Sequence, residues 1–317
     1  MKLLFMGTPQ FAVPSLAALL ERGYEVAAVV TQPDRPKGRK RELTPSPVKA
    51  FALERGLQVL QPEKLRSPEG VAAVTEIAPD LIVTAAYGQI LPKSVLELPR
   101  LGCINVHGSL LPRYRGGAPI QRSIINGEKE TGVTLMYMAE GLDTGDMISK
   151  VALPITDEDT AGTMFDKLSL AGADLLIEWL PRLIEGSAGR TPQSEEEASY
   201  APNLTREDEK LDWSRESREI FNRVRGLNPM AGGFTYLDGE VFKVWGCRIP
   251  QSSDAVLHPE WTPLVPGSVL EAGNFGIRVR TGDGSIVLTE VQPAGKKALQ
   301  ATEFAKGARL VAGKVLG

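Results

Sequence analysis

Residues 1–31, MKLLFMGTPQFAVPSLAALLERGYEVAAVVT, decide the fold class. Lys2–Met6 is an apolar run of strand length. Phe11–Arg22 repeats apolar residues at helical spacing and closes on Gly23, and Val26–Thr31 is apolar and β-branched. A strand, a helix and a second buried strand in that order form one parallel crossover unit. The pattern then repeats. Ser46–Glu54 reads as a helix, Leu81–Ala86 and Cys103–Val106 as strands, and Ala118–Asn126 as a helix ended by Gly127. Gly132–Met138 reads as a strand and Thr160–Glu185 as a long helix. The alternation predicts an α/β fold, a doubly wound and mostly parallel Rossmann-like sheet covered on both faces.

From Ala188 to Glu209 the composition turns polar, acidic and Pro-containing, as in a linker. An amphipathic helix over Ser214–Arg225 follows. Short β runs come next at Gly233–Leu237, Val241–Ile249, Gly267–Leu270, Gly276–Arg280 and Ile286–Val291. Asp238-Gly239 between two of them is a hairpin signal. Such a set predicts a small C-terminal β-barrel of the OB-like type. The expected division is residues 1–189, a linker over 190–209, and a second domain over 210–317.

Length and composition agree with two globular domains: 317 residues, 42% hydrophobic and 24% charged. The N-terminal apolar stretch is interrupted by Gly7, Pro9 and Pro14 and lacks a small-x-small cleavage pattern, so a cytoplasmic protein is expected. No run reaches the 18 or more apolar residues of a membrane span. Cys103 and Cys247 lie 144 positions apart, and with two histidines in the chain they predict no metal site. The net charge of −3 gives no global attraction to nucleic acid, and residues 206–317 hold 15 Lys+Arg against 14 Asp+Glu. Any nucleic-acid contact must then come from local patches.

The candidate chemistry lies in GCINVHGSLLPRYRGGAPIQRSIINGEKETGVTLMYMAEGLDTGDM, residues 102–147. Asn105 and His107 are two apart on a strand, so their side chains share a face. An amide beside an imidazole makes a donor row suited to the oxyanion of a tetrahedral intermediate. Asp143 offers a carboxylate to the imidazole. Ser109 has no base beside it in sequence, so direct transfer to an external nucleophile is expected, with no covalent enzyme intermediate. A structural histidine is the alternative reading of His107 taken alone.

The run from Asn105-x-His107 through Ser109-Leu110-Leu111-Pro112 to Gly141-Leu142-Asp143-Thr144-Gly145 resembles the signature of formyltransferases that use 10-formyltetrahydrofolate. MGTPQFAVPSL, TQPDRPKGRK, LTPSPVK and AAYGQILP extend the resemblance over nearly the whole chain, toward the branch that formylates methionyl-tRNA. The resemblance implies a catalytic trio of Asn105, His107 and Asp143. It implies a folate-contacting loop of Ser109, Leu110, Leu111 and Pro112, and a pterin pocket near Tyr87, Gly88, Gln89, Ile90 and Leu91. It further implies 10-formyltetrahydrofolate as one-carbon donor, no metal, and methionyl-initiator tRNA as acceptor. A monomer without membrane attachment is expected.

Five cations stand in seven residues at Arg35, Lys37, Arg39, Lys40 and Arg41. By composition this is a solvated loop; the resemblance makes it a tRNA-binding loop, with phosphates as its targets. Gly7-Thr8-Pro9 lacks the G-x-G-x-x-G pattern of a dinucleotide site. The basic Arg113–Gly117 loop either shapes the acceptor site or rides on the surface. Lys296, Lys297 and Lys306 are candidates for a phosphate patch, His258 for an exposed bystander, and the four tryptophans for packing. Two competing functions are a formyltransferase with a small acceptor, such as an amino-sugar nucleotide, and a non-catalytic RNA-binding module. The basic loop argues against the first and the intact trio against the second.

Overall fold

The structure is a computed structural model that describes residues 1–37, 42–250, 261, 263–308 and 310–317, with only the backbone of Lys37. Its chain divides into two compact units. Residues 1–119, 130–154 and 165–202 form the first, and residues 120–129, 155–164 and 203–317 form the second.

The first unit is built on a seven-stranded sheet. Its strands are β1 (Leu3–Gly7), β2 (Val26–Val30), β5 (Val59–Leu60), β6 (Leu81–Ala85), β7 (Cys103–His107), β8 (Glu130–Tyr137) and β9 (Met147–Pro154). Their spatial order is β5-β2-β1-β6-β7-β8-β9. Every residue of β1 and β6 is buried, as central parallel strands covered on both faces require. The chain runs outward from β1 through β2 to β5 and then returns to β6 on the other side of β1. That reversal places a topological switch point between β1 and β6. The sheet is parallel from β5 to β7, and β8 and β9 then add in antiparallel fashion.

β9 was not foreseen as a strand. After buried Met147 and Ile148 its residues alternate between partly buried and exposed at the sheet edge, so MISKVALP carries no long apolar run. A short hairpin, β3 (Arg35–Lys37) with β4 (Glu42–Thr44), was also unforeseen and flanks the basic loop.

Helix starts follow local chemistry. Ser46 and Ser67 accept from the amides of Lys49 and Gly70, capping α2 (Pro47–Glu54) and α3 (Pro68–Ile77), and in each case Pro follows the cap. Helix α1 (Val13–Glu21) carries Pro14 in its first turn and is followed by Gly23 at φ 76°, a left-handed position that suits glycine. The remaining helices are α4 (Lys93–Leu96), α5 (Pro119–Ile125), α6 (Ala161–Glu185), α7 (Ser217–Leu227) and α8 (Ala301–Ala308). No described helix is long and apolar enough to cross a membrane.

The second unit carries an antiparallel sheet of β10 (Gly233–Leu237), β11 (Glu240–Arg248), β12 (Val269–Gly273), β13 (Gly276–Arg280), β14 (Ser285–Pro293) and β15 (Leu299–Gln300). The ladder runs β10-β11-β14-β13-β12, with β15 on β14. The expected hairpin at Asp238-Gly239 is present, with φ of 55° and 80°. Positive φ at both central residues matches strand twist. Phe242, Val244, Val279, Ile286 and Leu288 pack with Ile220, Phe221 and Val224 of α7. Trp213 is buried and donates to Thr235 Oγ1, a packing role as expected.

The unit boundaries differ from the expected division in two ways. Residues 190–202 of the expected linker belong to the first unit, while 120–129 and 155–164 belong to the second. Hydrogen bonding accounts for part of this. Arg122 on α5 grips Asp208 through both guanidinium NH₂ groups, and Arg225 on α7 donates to the carbonyls of Thr156 and Asp159.

Candidate active site

Strand β7 supplies two members of the site. Its third residue, Asn105, is the one position of the strand that is only partly buried, and its fifth, His107, is buried. The parallel register sets Thr84 of β6 beside Asn105. The buried Thr84 hydroxyl lies 2.8 Å from Asn105 Oδ1 and 3.0 Å from the Ile104 carbonyl. With Oδ1 committed to that hydroxyl, the amide NH₂ keeps its donors for a ligand. Sequence reasoning overlooked Thr84. A hydroxyl inside the otherwise apolar LIVTA strand was the signal that could have found it.

His107 Nε2 lies 3.1 Å from the Tyr114 carbonyl. A carbonyl only accepts, so Nε2 carries a hydrogen and Nδ1 is left facing Asp143. Nδ1 is 3.7 Å from Asp143 Oδ2, and the two side chains are 7% and 17% exposed. That separation is longer than a direct charge-assisted hydrogen bond. Catalytic pairs without substrate are commonly long and tighten as the transition state forms. Neutral imidazole turns a lone pair toward the carboxylate, whereas imidazolium turns an N–H toward it.

Asp143 reaches His107 by an indirect route. The connection after β8 begins beside Ile104, because Tyr137 pairs with Ile104 while Thr134 pairs with His107. It starts, then, at the end of β7 away from His107, and runs back along the strand to deliver Asp143. The return is tight: a Cβ on Gly145 would lie 1.9 Å from the Tyr137 carbonyl. Asp143 itself sits at φ 52°, and Tyr114 and Ala86 in neighbouring loops are also left-handed. Such non-glycine conformations cost about 1–3 kcal/mol each and persist only where the surroundings impose them. Here the Gly116 amide donates to Asp143 Oδ2 at 2.8 Å, and Gln193 Nε2 donates to the carbonyls of Asp143 and Gly145 at 2.7 and 2.8 Å.

The loop Ser109–Pro112 is tied down from within. Thr134, opposite His107 on β8, donates to the Ser109 carbonyl and accepts from the Leu111 amide. Ser109 Oγ donates to the Arg113 carbonyl, and Lys150 Nζ donates to the Leu111 carbonyl at 2.6 Å. Leu111 packs with Met136 and Met147. The loop is thus a rigid wall beside His107, and the Ser109 and Leu111 side chains face inward.

On the β6 side, Gly88 turns at φ 88°, and Gln89 accepts from the Leu65 amide and donates to the Pro62 carbonyl. Leu91 is buried, whereas Ile90 is 79% exposed. Tyr87 lies in the apolar core, and burial pushes its hydroxyl up to about 12. Cys103 is core as well, its thiol raised to about 12 by the same desolvation. A cavity of about 420 Å³ is lined by Gln61, Glu63, Lys64 and the start of α3; none of the trio lines it.

Within the Arg113–Gly117 loop, Arg115 departs from the surface reading. It is fully buried, and its guanidinium makes paired bonds of 3.0 and 2.9 Å to Glu195 and one of 3.0 Å to Gln193. The Glu195 hydrogen bond raises the Arg115 pKa, and Arg115 in turn lowers that of Glu195.

Of the basic loop, Arg35 stands exposed, 3.6 Å from Glu63. The Lys37 side chain and Gly38, Arg39, Lys40 and Arg41 lie outside the described residues, as does His258. Lys296, Lys297 and Lys306 are exposed. Among the described residues no group of three or more His, Cys, Asp or Glu side chains is placed to hold a metal ion.

Two family models match the chain: Formyl transferase over residues 1–180, and Formyl transferase, C-terminal domain, over residues 203–309. The chain is 54% identical to Methionyl-tRNA formyltransferase of Bacillus subtilis, covering 100% of this chain and 98% of that protein. It is also 54% identical to that of Geobacillus thermodenitrificans, covering 99% and 97%. Two solved structures share the fold. One is HypX from Aquifex aeolicus in complex with tetrahydrofolic acid (TM-score 0.67, 19% identity, 97% of this chain and 48% of that one). The other is the sugar 3N-formyltransferase WlaRD with dTDP and 5-N-formyl-tetrahydrofolate (TM-score 0.65, 21% identity, 94% and 99%).

Proposed function

The chain belongs to the formyl transferase family, and on that premise we propose that it moves the formyl group of 10-formyltetrahydrofolate onto the α-amine of methionyl-initiator tRNA. The product is N-formylmethionyl-tRNA, for translation initiation. The observation that carries the reading is the constellation of Asn105, His107 and Asp143, in a chain 54% identical end to end to methionyl-tRNA formyltransferases.

The donor is an N-formyl arylamine. An α-amine titrates near pH 8, so a useful fraction is nucleophilic at neutrality without a strong base. It adds to the formyl carbon, and the carbonyl oxygen becomes an oxyanion. The Asn105 amide, oriented by Thr84, donates to that oxygen. The attacking nitrogen now carries a surplus proton. His107 Nδ1 accepts it, and Asp143 stabilises the resulting imidazolium. Collapse of the adduct breaks the bond to the arylamine nitrogen, which takes the proton held on His107 Nδ1 and leaves as tetrahydrofolate, so that the imidazole returns to its neutral form. No step requires a metal or a covalent enzyme intermediate.

The loop Ser109–Pro112 and the Gly88–Leu91 turn are the surfaces proposed to hold the folate, with exposed Ile90 offering an apolar face to the pterin. The basic segment Arg35–Arg41 and the C-terminal domain are proposed to hold the tRNA. A cytoplasmic monomer is the proposed working form. Incubation with 10-formyltetrahydrofolate and either charged initiator tRNA or an amino-sugar nucleotide tests the assignment. Formyl transfer to the methionyl amine alone is expected; transfer only to the sugar amine would overturn it.

A further inference from the structure

We infer that residues 193–201 form a positioning strap for the formyl-transfer site, in which Gln193 holds the Asp143 turn in register with His107. This rests on the assignment of Asp143 to the reaction. The segment reads in sequence as an acidic, featureless connector, but its hydrogen bonds converge on the site. Gln193 is used at both ends of its amide. Nε2 donates to the carbonyls of Asp143 and Gly145, and Oε1 accepts from Arg115 Nε. Arg115 carries the bonds to Glu195.

Backbone pairing then zips the strap to the loop beyond His107. The Arg115 amide donates to the Ser199 carbonyl, the Ala201 amide to the Arg115 carbonyl, and the Ala118 amide to the Ala201 carbonyl. Ser199 Oγ accepts from the Tyr114 amide. Gly116 fits because of this contact: a Cβ there would lie 2.7 Å from the Ala201 carbonyl.

Both halves of the catalytic pair are thereby referenced to one element. The Tyr114 carbonyl receives His107 Nε2, and Tyr114 is held by Ser199. The Gly116 amide holds Asp143 Oδ2, and Gly116 follows Arg115, which pairs with the strap on both sides. Gln193 fixes the carbonyls flanking the left-handed turn of Asp143. Without its two N–H donors nothing described replaces them there, and the carboxylate loses its fixed distance from Nδ1. Gln193 spends its amide on the Asp143 and Gly145 carbonyls and on Arg115, so it acts through Asp143 and is a positioning residue.

The test is a double-mutant cycle read in kcat and KM. Gln193→Met keeps the side-chain length and removes both functions, while Gln193→Glu keeps the acceptor for Arg115 and removes the donors. Each is expected to lower kcat about tenfold, with KM for both substrates changed less than twofold. In an Asp143→Asn background, Gln193→Met is expected to cause no further loss of kcat, because the residue acts only through the carboxylate. Losses that multiply in the double variant, or kcat within twofold of the parent in a folded single variant, would overturn the inference. Should the Gln193 variants fail to fold, Glu195→Ala gives the same reading from a side chain 70% exposed. It is expected to lower kcat at constant KM by releasing Arg115, and an unchanged kcat would overturn the strap. If Asp143→Asn alone leaves kcat intact, the fault lies with the assignment of Asp143 and not with the strap.

Discussion

Replacing Asp143 by Asn isolates the charge of the carboxylate from its geometry. Asn tolerates the left-handed backbone about as well as Asp, so φ 52° is retained. Its side-chain oxygen can take the place of Oδ2, the atom that both accepts from the Gly116 amide and faces His107 Nδ1. The substitution thus keeps the geometry and removes the charge that supports the imidazolium formed when the proton is taken from the attacking amine. At 3.7 Å unit charges attract by about 4 kcal/mol at an effective dielectric of about 20, and by about 1 kcal/mol in water. With both side chains largely buried, the first figure is nearer. Only the part gained in the transition state counts, so kcat is expected to fall by about 10² to 10³. The assay is single-turnover formyl transfer at saturating 10-formyltetrahydrofolate and charged initiator tRNA, with folate affinity and unfolding measured alongside. A folded Asp143→Asn protein that turns over within about threefold of the parent would refute the role given to the carboxylate.

Thr84→Val removes one hydroxyl at constant shape and leaves Asn105 Oδ1 without its donor; stability is expected to drop by about 1–3 kcal/mol. Urea unfolding reads that drop, and kcat should fall about tenfold as the amide loses its orientation; an unchanged kcat would remove Thr84 from the site. Changing Arg39, Lys40 and Arg41 together to Ala is expected to make the dependence of log affinity for tRNA on log salt shallower by about two units, at roughly 0.7–0.9 per phosphate. Folate affinity should stay constant, and an unaltered salt slope would leave the segment as solvated surface. Burial pushes the Asp208 carboxyl up, but the Thr205 amide, the Arg122 guanidinium and the Thr205 hydroxyl outweigh it and hold the group at about 2, below its usual 3.8. A depressed carboxyl stabilises fully above its unfolded value and loses that contribution as pH falls through the folded one. Denaturation between pH 5 and pH 2 should therefore show a loss on the order of 2 kcal/mol. Asp208→Asn should abolish that part of the loss, and an identical acid profile in the variant would contradict the coupling.

Much of the fold is legible in local sequence because its causes are local. Runs such as LLFMG and LIVTA are buried on both faces, and a fully buried strand must be apolar throughout. Ser46, Ser67 and Asp238-Gly239 mark their cap and turn positions by chemistry that needs only neighbouring residues. Asn105 and His107 could be paired from sequence because two residues along a strand share a face. What escaped depends on partners distant in the chain. The edge strand β9 alternates weakly and takes its place from the register of β8. Thr84 matters because a parallel register sets it beside Asn105, 21 positions away. The return of Asp143 along β7 and the grip of Gln193 on its turn join residues 36 and 50 positions apart. Sequence by itself pointed to the candidate groups, Asn105, His107 and Asp143. Their distances, the side on which His107 holds its hydrogen, and the pairing of an acidic connector with the loops around Arg115 and Asp143 were decided only by tertiary packing, since hydrogen bonds between remote segments leave no periodic trace in the chain.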